Sequence, residues 1–287
     1  MPNEYLPGEK LRVFVLFSGG ASSGIGLVKG PNHKKNYEIV GAGTNNTKAS
    51  GIEKLQKEGI FIEAFDYAKF CEEKNLEPAQ KHSNRRYHEE WSKKIEPFKP
   101  HVIALSGYFR IVPQDFLGEY PDTKNVHPMG LHYITPLDKE MEYKWIVDVG
   151  DVDPKDVAHR MKEYNYTRAF KGESAIFDAL LFGHDYVKEI RATVHRATAL
   201  YDEGPIEVES APLPVDKEKT ARMIKHRNFA ALMSYANELQ EELKVKGDIP
   251  AFRKAVELTA ERRLEHRDGA VYFDGIRLPY KGLQLAE

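Results

Sequence analysis

Leu11 to Phe17, LRVFVLF, is a short apolar run that ends in Ser18-Gly19-Gly20-Ala21-Ser22-Ser23-Gly24. A continuous apolar run bounded by small residues predicts a buried strand running into a glycine-serine turn. Tyr37 to Gly43 repeats the strand pattern, and the polar stretch TNNTKASGIEKLQKEG that follows predicts a helix stopping at Gly59. Ile60 to Phe65 reads as a third strand, and residues 81 to 97 as an exposed amphipathic helix with Tyr87 and Trp91 at i, i+4.

The next strand, His101 to Ser106, leads into GYFRIVPQDFLGEYP, where Pro113 suits the first turn of a short helix. Lys124-Asn125-Val126-His127-Pro128 closes this half of the chain. Beyond it, DPKDVAHRMKEYN predicts a helix with Asp153 as its cap and Pro154 at its first position. Glu189 to Leu200 and Ile206 to Leu213 read as strands joined by the turn Tyr201-Asp202-Glu203-Gly204-Pro205. Residues 216 to 264 carry a helical pattern interrupted at Lys246 to Pro250, and AVYFDGIRL predicts a hairpin turning at Asp274-Gly275.

Strands alternating with helices predict an α/β fold with right-handed crossovers and a mostly parallel sheet. Ligands of such sheets bind beyond the carboxyl ends of the strands. Ser18 to Ser23 and Asn125 to Pro128 both lie at such ends, and chemistry is expected there.

Composition narrows the partners. A formal net charge of −2 over 287 residues gives no global electropositive field, so nucleic acid is not expected. The basic stretch KHSNRRYHEEWSKK carries glutamates at helical spacing and reads as a solvated helix face. The single cysteine, Cys71, cannot close an intramolecular disulfide, and no Cys/His spacing suggests a metal site, so no metal is expected and a reducing, cytoplasmic setting is. No apolar stretch approaches the roughly 20 residues that span a bilayer, and MPNEYLPGEK lacks the apolar core of a signal peptide, so no membrane partner is expected.

Three segments carry candidate chemistry. The turn Gly19, Gly20, Ala21, Ser22, Ser23 could offer backbone N–H groups to a phosphate, although a tight turn with no ligand is the commoner explanation. It is neither a dinucleotide fingerprint nor an ATP-binding loop. Asn125 and His127, two apart on an extended chain, share a face: the amide can hold an oxyanion and the imidazole can move a proton. A polar strand end with a structurally bonded histidine is the plainer alternative. Asp202 stands in a Gly-Pro turn where aspartate is common for local reasons. His195 lies seven residues before it, an odd spacing that places the two on opposite faces unless a bulge or turn intervenes.

Taken together and in order, VLFSGGASS, ALSGYFRIVPQDFLGEY, NVHP, VHRATALYDEGPI and GAVYFDGIRLPYKG resemble the glycinamide ribonucleotide formyltransferase family, within the folate-dependent formyltransferases. The resemblance runs from end to end. It implies a three-layer Rossmann-like formyltransferase fold, with a mostly parallel sheet and antiparallel C-terminal strands, in a single domain. Residues 10–130 would form the phosphate-binding half, 131–170 an insertion or lid, and 171–287 the folate-side half with a helical insertion within 216–264.

The same resemblance implies formyl transfer from 10-formyltetrahydrofolate to glycinamide ribonucleotide in purine synthesis, by Asn125, His127 and Asp202 with His195 behind them. The acceptor phosphate would lie on Gly19 to Ser23. The pterin would lie against Tyr108, Phe109, Arg110, Ile111 and Val112, with Leu200 and Tyr201 closing over it. The implied partners are the two small-molecule substrates, and a homodimer is allowed.

The departures concern the amine acceptor. The turn loses both asparagines of the family's Gly-Asn-Gly-Ser-Asn, Met129 replaces the serine after His-Pro, and the loop that follows is replaced by GLHYITPLDKEMEY and extra residues. Arg227 stands where the family's ribose-holding glutamate is expected, and Arg227 cannot accept a hydrogen bond. Glu173 is a second candidate acceptor contact. Alternatives are a different amine, such as an amino-sugar nucleotide, a hydrolase that releases formate, or a folate- or nucleotide-binding protein without catalysis.

Overall fold

The computed structural model describes residues 5–138 and 143–286, so residues 139–142 of the 131–170 stretch lie outside the described residues. The chain divides into two compact units. One comprises Met1–Asn125, Arg196–Tyr201 and Val256–Glu261, and the other Val126–His195, Asp202–Ala255 and Arg262–Glu287.

In the first unit the chain runs through β1 (Leu11–Phe17), α1 (Ser22–Val28), β2 (Tyr37–Thr44), α2 (Gly51–Lys57), β3 (Ile62–Ala64), α3 (Tyr67–Glu73), α4 (Lys81–Ile95), β4 (Val102–Leu105) and α5 (Gln114–Glu119) to β5 (Thr123–His127). Its strands lie in the order β3-β2-β1-β4-β5, and every neighbouring pair is parallel. The reversal from β2 to β4 around β1 puts a crevice at the carboxyl ends of the central strands. Glycine brings α1 close to the sheet there: a Cβ on Gly24 would lie 2.8 Å from a Val15 methyl group.

The helix read as exposed at residues 81 to 97 is α4, and its aromatic face is buried. Tyr87 and Trp91 are fully enclosed in a core with Phe14, Leu16, Phe70, Ile103 and Phe116. Helix α3, not anticipated from the sequence, is capped by Asp66, whose carboxylate accepts from Lys69 N at 2.9 Å.

The second unit begins at the end of β5 and contains β6 (Tyr133–Pro136), β7 (Val147–Asp148), α6 (Pro154–Glu163), β8 (Tyr166–Arg168), α7 (Ala175–Phe182), β9 (Glu189–Ile190), β10 (Thr193–Arg196, its last residue in the first unit), β11 (Ile206–Glu209), β12 (Leu213–Pro214), α8 (Lys217–Lys225) and α9 (Phe229–Leu243). Helix α10 (Ile249–Ala260), β13 (Leu264–Arg267), β14 (Ala270–Phe273), β15 (Ile276–Arg277) and β16 (Leu283–Gln284) complete the chain. Here antiparallel pairing dominates: β6 with β7 and β8, β10 with β11, and β13-β14-β15 as a meander. The last of these turns at Asp274 and Gly275, both at positive φ, as a two-residue hairpin requires.

The expected α/β class with a mostly parallel sheet and antiparallel strands toward the C-terminus therefore holds. The interruption expected at Lys246 to Pro250 is instead a π-helical turn, Lys244–Asp248, that joins α9 directly to α10. Pro250 is the second residue of α10, directly after the π-helical turn.

Candidate functional site

The glycine-serine turn is braced from beneath. Ser18 Oγ accepts from Phe109 N at 2.9 Å, Ser18 N donates to Gly107 O at 3.0 Å, and Asn46 Nδ2 donates to Ser18 O at 3.1 Å. Ser106 Oγ accepts from Gly24 N at 2.9 Å. Ala21 sits at φ 52, a left-handed conformation unusual for a residue with a Cβ. The space a Cβ would take at Gly19 is open, so an approaching group can reach the backbone there.

Residues 108 to 112 alternate between the core and the surface. Tyr108 and Val112 belong to the aromatic core, with the Tyr108 hydroxyl 3.3 Å from His88 Nε2. Arg110 lies over the Tyr67 ring at 3.3 Å and donates from Nε to Asn84 Oδ1 at 3.0 Å. Phe109 and Ile111 are exposed, as are Leu200 and Tyr201. The apolar surface offered by this set is thus Phe109, Ile111, Leu200 and Tyr201, while Tyr108 and Val112 support it from within.

In the second unit the structure gathers three of the residues singled out in the sequence. Asp202 Oδ2 lies 3.3 Å from His127 Nδ1, and Asp202 Oδ1 lies 3.4 Å from His195 Nε2, with all three side chains buried. His195 reaches the carboxylate despite its odd spacing because the β10–β11 register shifts between Val194 and His195, and because Asp202 stands in a left-handed turn at φ 53. Gly172 N donates to Asp202 Oδ2 at 3.1 Å, and His127 Nε2 donates to Phe170 O at 2.9 Å. Neither Phe170 nor Gly172 is marked by a sequence signal, since each contributes only backbone.

These contacts set the charges. Burial pushes the Asp202 carboxyl up, but the His195 hydrogen bond, the two imidazoles and the Gly172 N–H together hold it well below the usual carboxylate range. Burial lowers His127, the Asp202 charge opposes this, and His195 and Arg168 reinforce it. The carboxylate is therefore ionised and the His127 ring neutral near pH 7. Nε2 faces the Phe170 carbonyl and Nδ1 lies 3.3 Å from Asp202 Oδ2, so each nitrogen of a protonated ring has an oxygen to donate to. A proton taken up at Nδ1 meets the carboxylate at once, so this imidazole can hold a proton transiently.

Asn125 pairs in register with Leu105 on β4 and is partly buried. It precedes His127 by two residues on β5, the spacing that directs both side chains to one face of the strand. Met129, in the position after His-Pro, is fully buried in the core of the second unit with Phe170, Ile176 and Leu239. Arg227 is exposed, at φ 53, in the turn two residues beyond α8, while Asn228 caps α9 by accepting from Ala231 N at 3.1 Å. Glu173 is exposed as well. No group of three or more His, Cys, Asp or Glu residues able to hold a metal ion occurs among the described residues, and no described helix is long and apolar enough to cross a membrane.

Residues 11–131 match the family model for formyl transferases. The match covers the first part of the chain. The matched region ends four residues after His127, so it contains the glycine-serine turn, residues 108 to 112, Asn125 and His127, and the Asp202 turn lies outside it.

The structure is similar to glycinamide ribonucleotide transformylase 1 from Symbiobacterium toebii, 21% identical over 94% of this chain and 98% of that chain, with a TM-score of 0.60. It is similar to the phosphoribosylglycinamide formyltransferase of Coxiella burnetii, 20% identical over 96% of this chain and 100% of that chain, with a TM-score of 0.62. A formyltetrahydrofolate deformylase from Pseudomonas putida is 16% identical over 93% of this chain and 71% of that chain, with a TM-score of 0.58. At these identities the likeness is one of fold. A search of curated proteins found no match.

Proposed function

We propose that this protein transfers the formyl group of 10-formyltetrahydrofolate to the amine of glycinamide ribonucleotide, with Asn125, His127 and Asp202 as its chemical centre. The observation that carries this reading is the buried Asp202 carboxylate shared between the His127 and His195 imidazoles, with Asn125 two residues before His127 on β5. An oxyanion donor beside a charge-supported imidazole suits acyl transfer to nitrogen.

In this reaction the amine nitrogen bonds to the formyl carbon, and the carbonyl electron pair moves onto oxygen. Asn125 donates its amide N–H to that oxygen. The amine nitrogen then loses a proton and the folate nitrogen gains one. The oxygen electron pair re-forms the carbonyl as the bond between carbon and the folate nitrogen breaks, that bond's electron pair staying on the nitrogen. His127 holds the travelling proton, and Asp202 stabilises the imidazolium while it exists. Phe109, Ile111, Leu200 and Tyr201 offer exposed apolar surface suited to a flat pterin, and the open backbone at Gly19 suits the acceptor phosphate.

A second reading keeps the donor and changes the amine. It is favoured by Arg227, an exposed residue in the turn after α8 where the resemblance places a ribose-holding glutamate. One experiment separates the two: release of tetrahydrofolate from 10-formyltetrahydrofolate, with and without glycinamide ribonucleotide, alongside Asn125→Ala. Release only with that acceptor, lost in the variant, supports the first reading. Release with another amine alone supports the second, and release with no amine would make the protein a hydrolase.

A further inference from the structure

Arg168, at the end of β8, is 1% exposed, yet it is a full-time cation with no role in the chemistry described above. Its guanidinium is spent on the Asp202 turn. Nη1 donates to Asp202 O, Nη2 donates to Gly204 O at 2.8 Å, and Nε donates to the Tyr280 hydroxyl at 3.1 Å. The residue between the two clamped carbonyls is held from the same stretch of chain: Glu203 Oε1 accepts from Lys171 Nζ at 2.8 Å and from Thr167 Oγ1 at 3.0 Å. Gly172 N completes the hold on the Asp202 carboxylate. Residues 167 to 172 thus grip the turn at every residue from 202 to 204.

The grip has something to resist. Asp202 is a non-glycine residue at φ 53, a conformation that L residues adopt at a cost and keep only where surroundings over-determine it. Relaxation of the turn to negative φ would swing the carboxylate away from both imidazoles. Two parallel donors from one rigid planar group are suited to fixing two carbonyls of a turn, which an ammonium cannot do in the same geometry. A hydrophobic residue would fill the space as well without the cost of burying a charge.

We propose that Arg168 is a positioning residue for formyl transfer, whose guanidinium locks the Asp202 turn so that its carboxylate faces His127 and His195. The inference rests on the reading of Asp202 and His127 given under Proposed function. It assigns part of the 131–170 segment the task of a buttress beneath the turn. The groups that face His127 are Asp202, His195, Arg168 and the Phe170 carbonyl. Asp202 favours a proton on His127 more than Arg168 opposes it, so removing Arg168 lowers the titration of that ring if the turn is released and raises it if only a charge is lost.

The test uses Arg168→Ala, Arg168→Lys and Tyr280→Phe in the full chain. In Arg168→Ala, kcat falls roughly 10- to 100-fold with KM for the amine changed less than threefold, as expected when a reacting group is misplaced while substrate binding is preserved. Guanidinium ion at millimolar concentration restores part of kcat, because a cavity of about 160 Å³ lined by Arg168, Glu203, Pro205 and Tyr280 gives it a way to the vacated site. Lysine does not restore it. Histidine-resolved NMR shows the His127 midpoint lower in Arg168→Ala than in the wild type, because the displaced Asp202 carboxylate no longer favours the imidazolium, an influence larger than that of the guanidinium.

Loss of kcat without guanidinium rescue and with the His127 titration unmoved or raised would overturn the proposal, leaving Arg168 a packing residue. If Arg168→Ala does not fold, Tyr280→Phe, which removes one of the three acceptors, must lower kcat severalfold and shift the same titration, and an unchanged profile counts against the idea. A wild-type protein that turns over the donor with no amine defeats the formyl-transfer reading alone, since the NMR titration still reports whether Arg168 governs the Asp202 and His127 pair.

Discussion

His132 Nδ1 lies 2.6 Å from Glu209 Oε1, and the glutamate is completely buried. Thr193 donates from Oγ1 to Met129 O at 2.8 Å, and Gln284 Nε2 donates to Glu209 Oε2 at 3.0 Å, so the pair ties the segment after His127 to β10, β11 and β16. Burial works against a charged His132, but Glu209, by charge and hydrogen bond, and Asp148 more than offset it, so its pKa is raised above 6.5.

A histidine raised on folding contributes stability that is fully present below its unfolded value and is lost as pH rises through the folded one. His132→Gln is therefore expected to cost about 3–5 kcal/mol near pH 6, typical of breaking a buried pair. Denaturant melts of both proteins at pH 6 and pH 9 check this. The gap must narrow at the alkaline end, and a gap that widens there refutes the assignment.

Asn125→Ala should lower kcat about 10²- to 10³-fold, the usual loss for one oxyanion donor, with the fold intact. Stopped-flow or steady-state release of tetrahydrofolate measures it. A loss confined to KM would mean that Asn125 binds substrate without touching the transition state.

The pH profile of kcat/KM should show an acid limb with its midpoint below 6.5. Burial lowers His127, and only its neutral form can take up the proton. In Asp202→Asn that limb moves further down, because the charge that favours the imidazolium is gone, and kcat falls roughly 10²- to 10⁴-fold. An acid limb above 7 in the wild type is incompatible with His127 as the proton-holding group.

Asp248 stands in the π-helical turn between α9 and α10, and its Oδ1 has no hydrogen-bond partner among the described residues. Burial pushes its carboxyl up to about 7, with Lys244 opposing and Glu241 assisting. An acid raised on folding destabilises increasingly from pH 3.8 upward, and the full penalty is reached above about 7. Asp248→Asn should thus raise stability at pH 8 by on the order of 2–4 kcal/mol and hardly at all at pH 4. Thermal melts at the two pH values decide it.

The parallel half of the fold was legible because its strands are continuous apolar runs closed by turn residues, as at Leu11 to Phe17. The Asn125 and His127 pair was legible for a related reason, since two residues two apart on a strand need no tertiary information to share a face. His195 and Asp202 were not readable by that rule, because a bulge and a left-handed turn break the alternation between them. The same alternation, applied to residues 108 to 112, distinguishes Phe109 and Ile111 from the core residues Tyr108 and Val112. Arg168 left no trace in the pattern: it ends a three-residue strand, and a buried arginine looks like any exposed one until its acceptors, here backbone carbonyls, are located. At Lys246 to Pro250 the glycine and proline suggested a break, but a wider helical turn absorbs them.

The chain passes between its two units five times, after Asn125, His195, Tyr201, Ala255 and Glu261. Neither unit corresponds to one uninterrupted stretch of gene. A single recombination breakpoint cannot exchange one for a relative's counterpart, and a single protease nick cannot release one from the other. Exchange of either whole unit for a relative's counterpart would need a breakpoint at each of the five crossings.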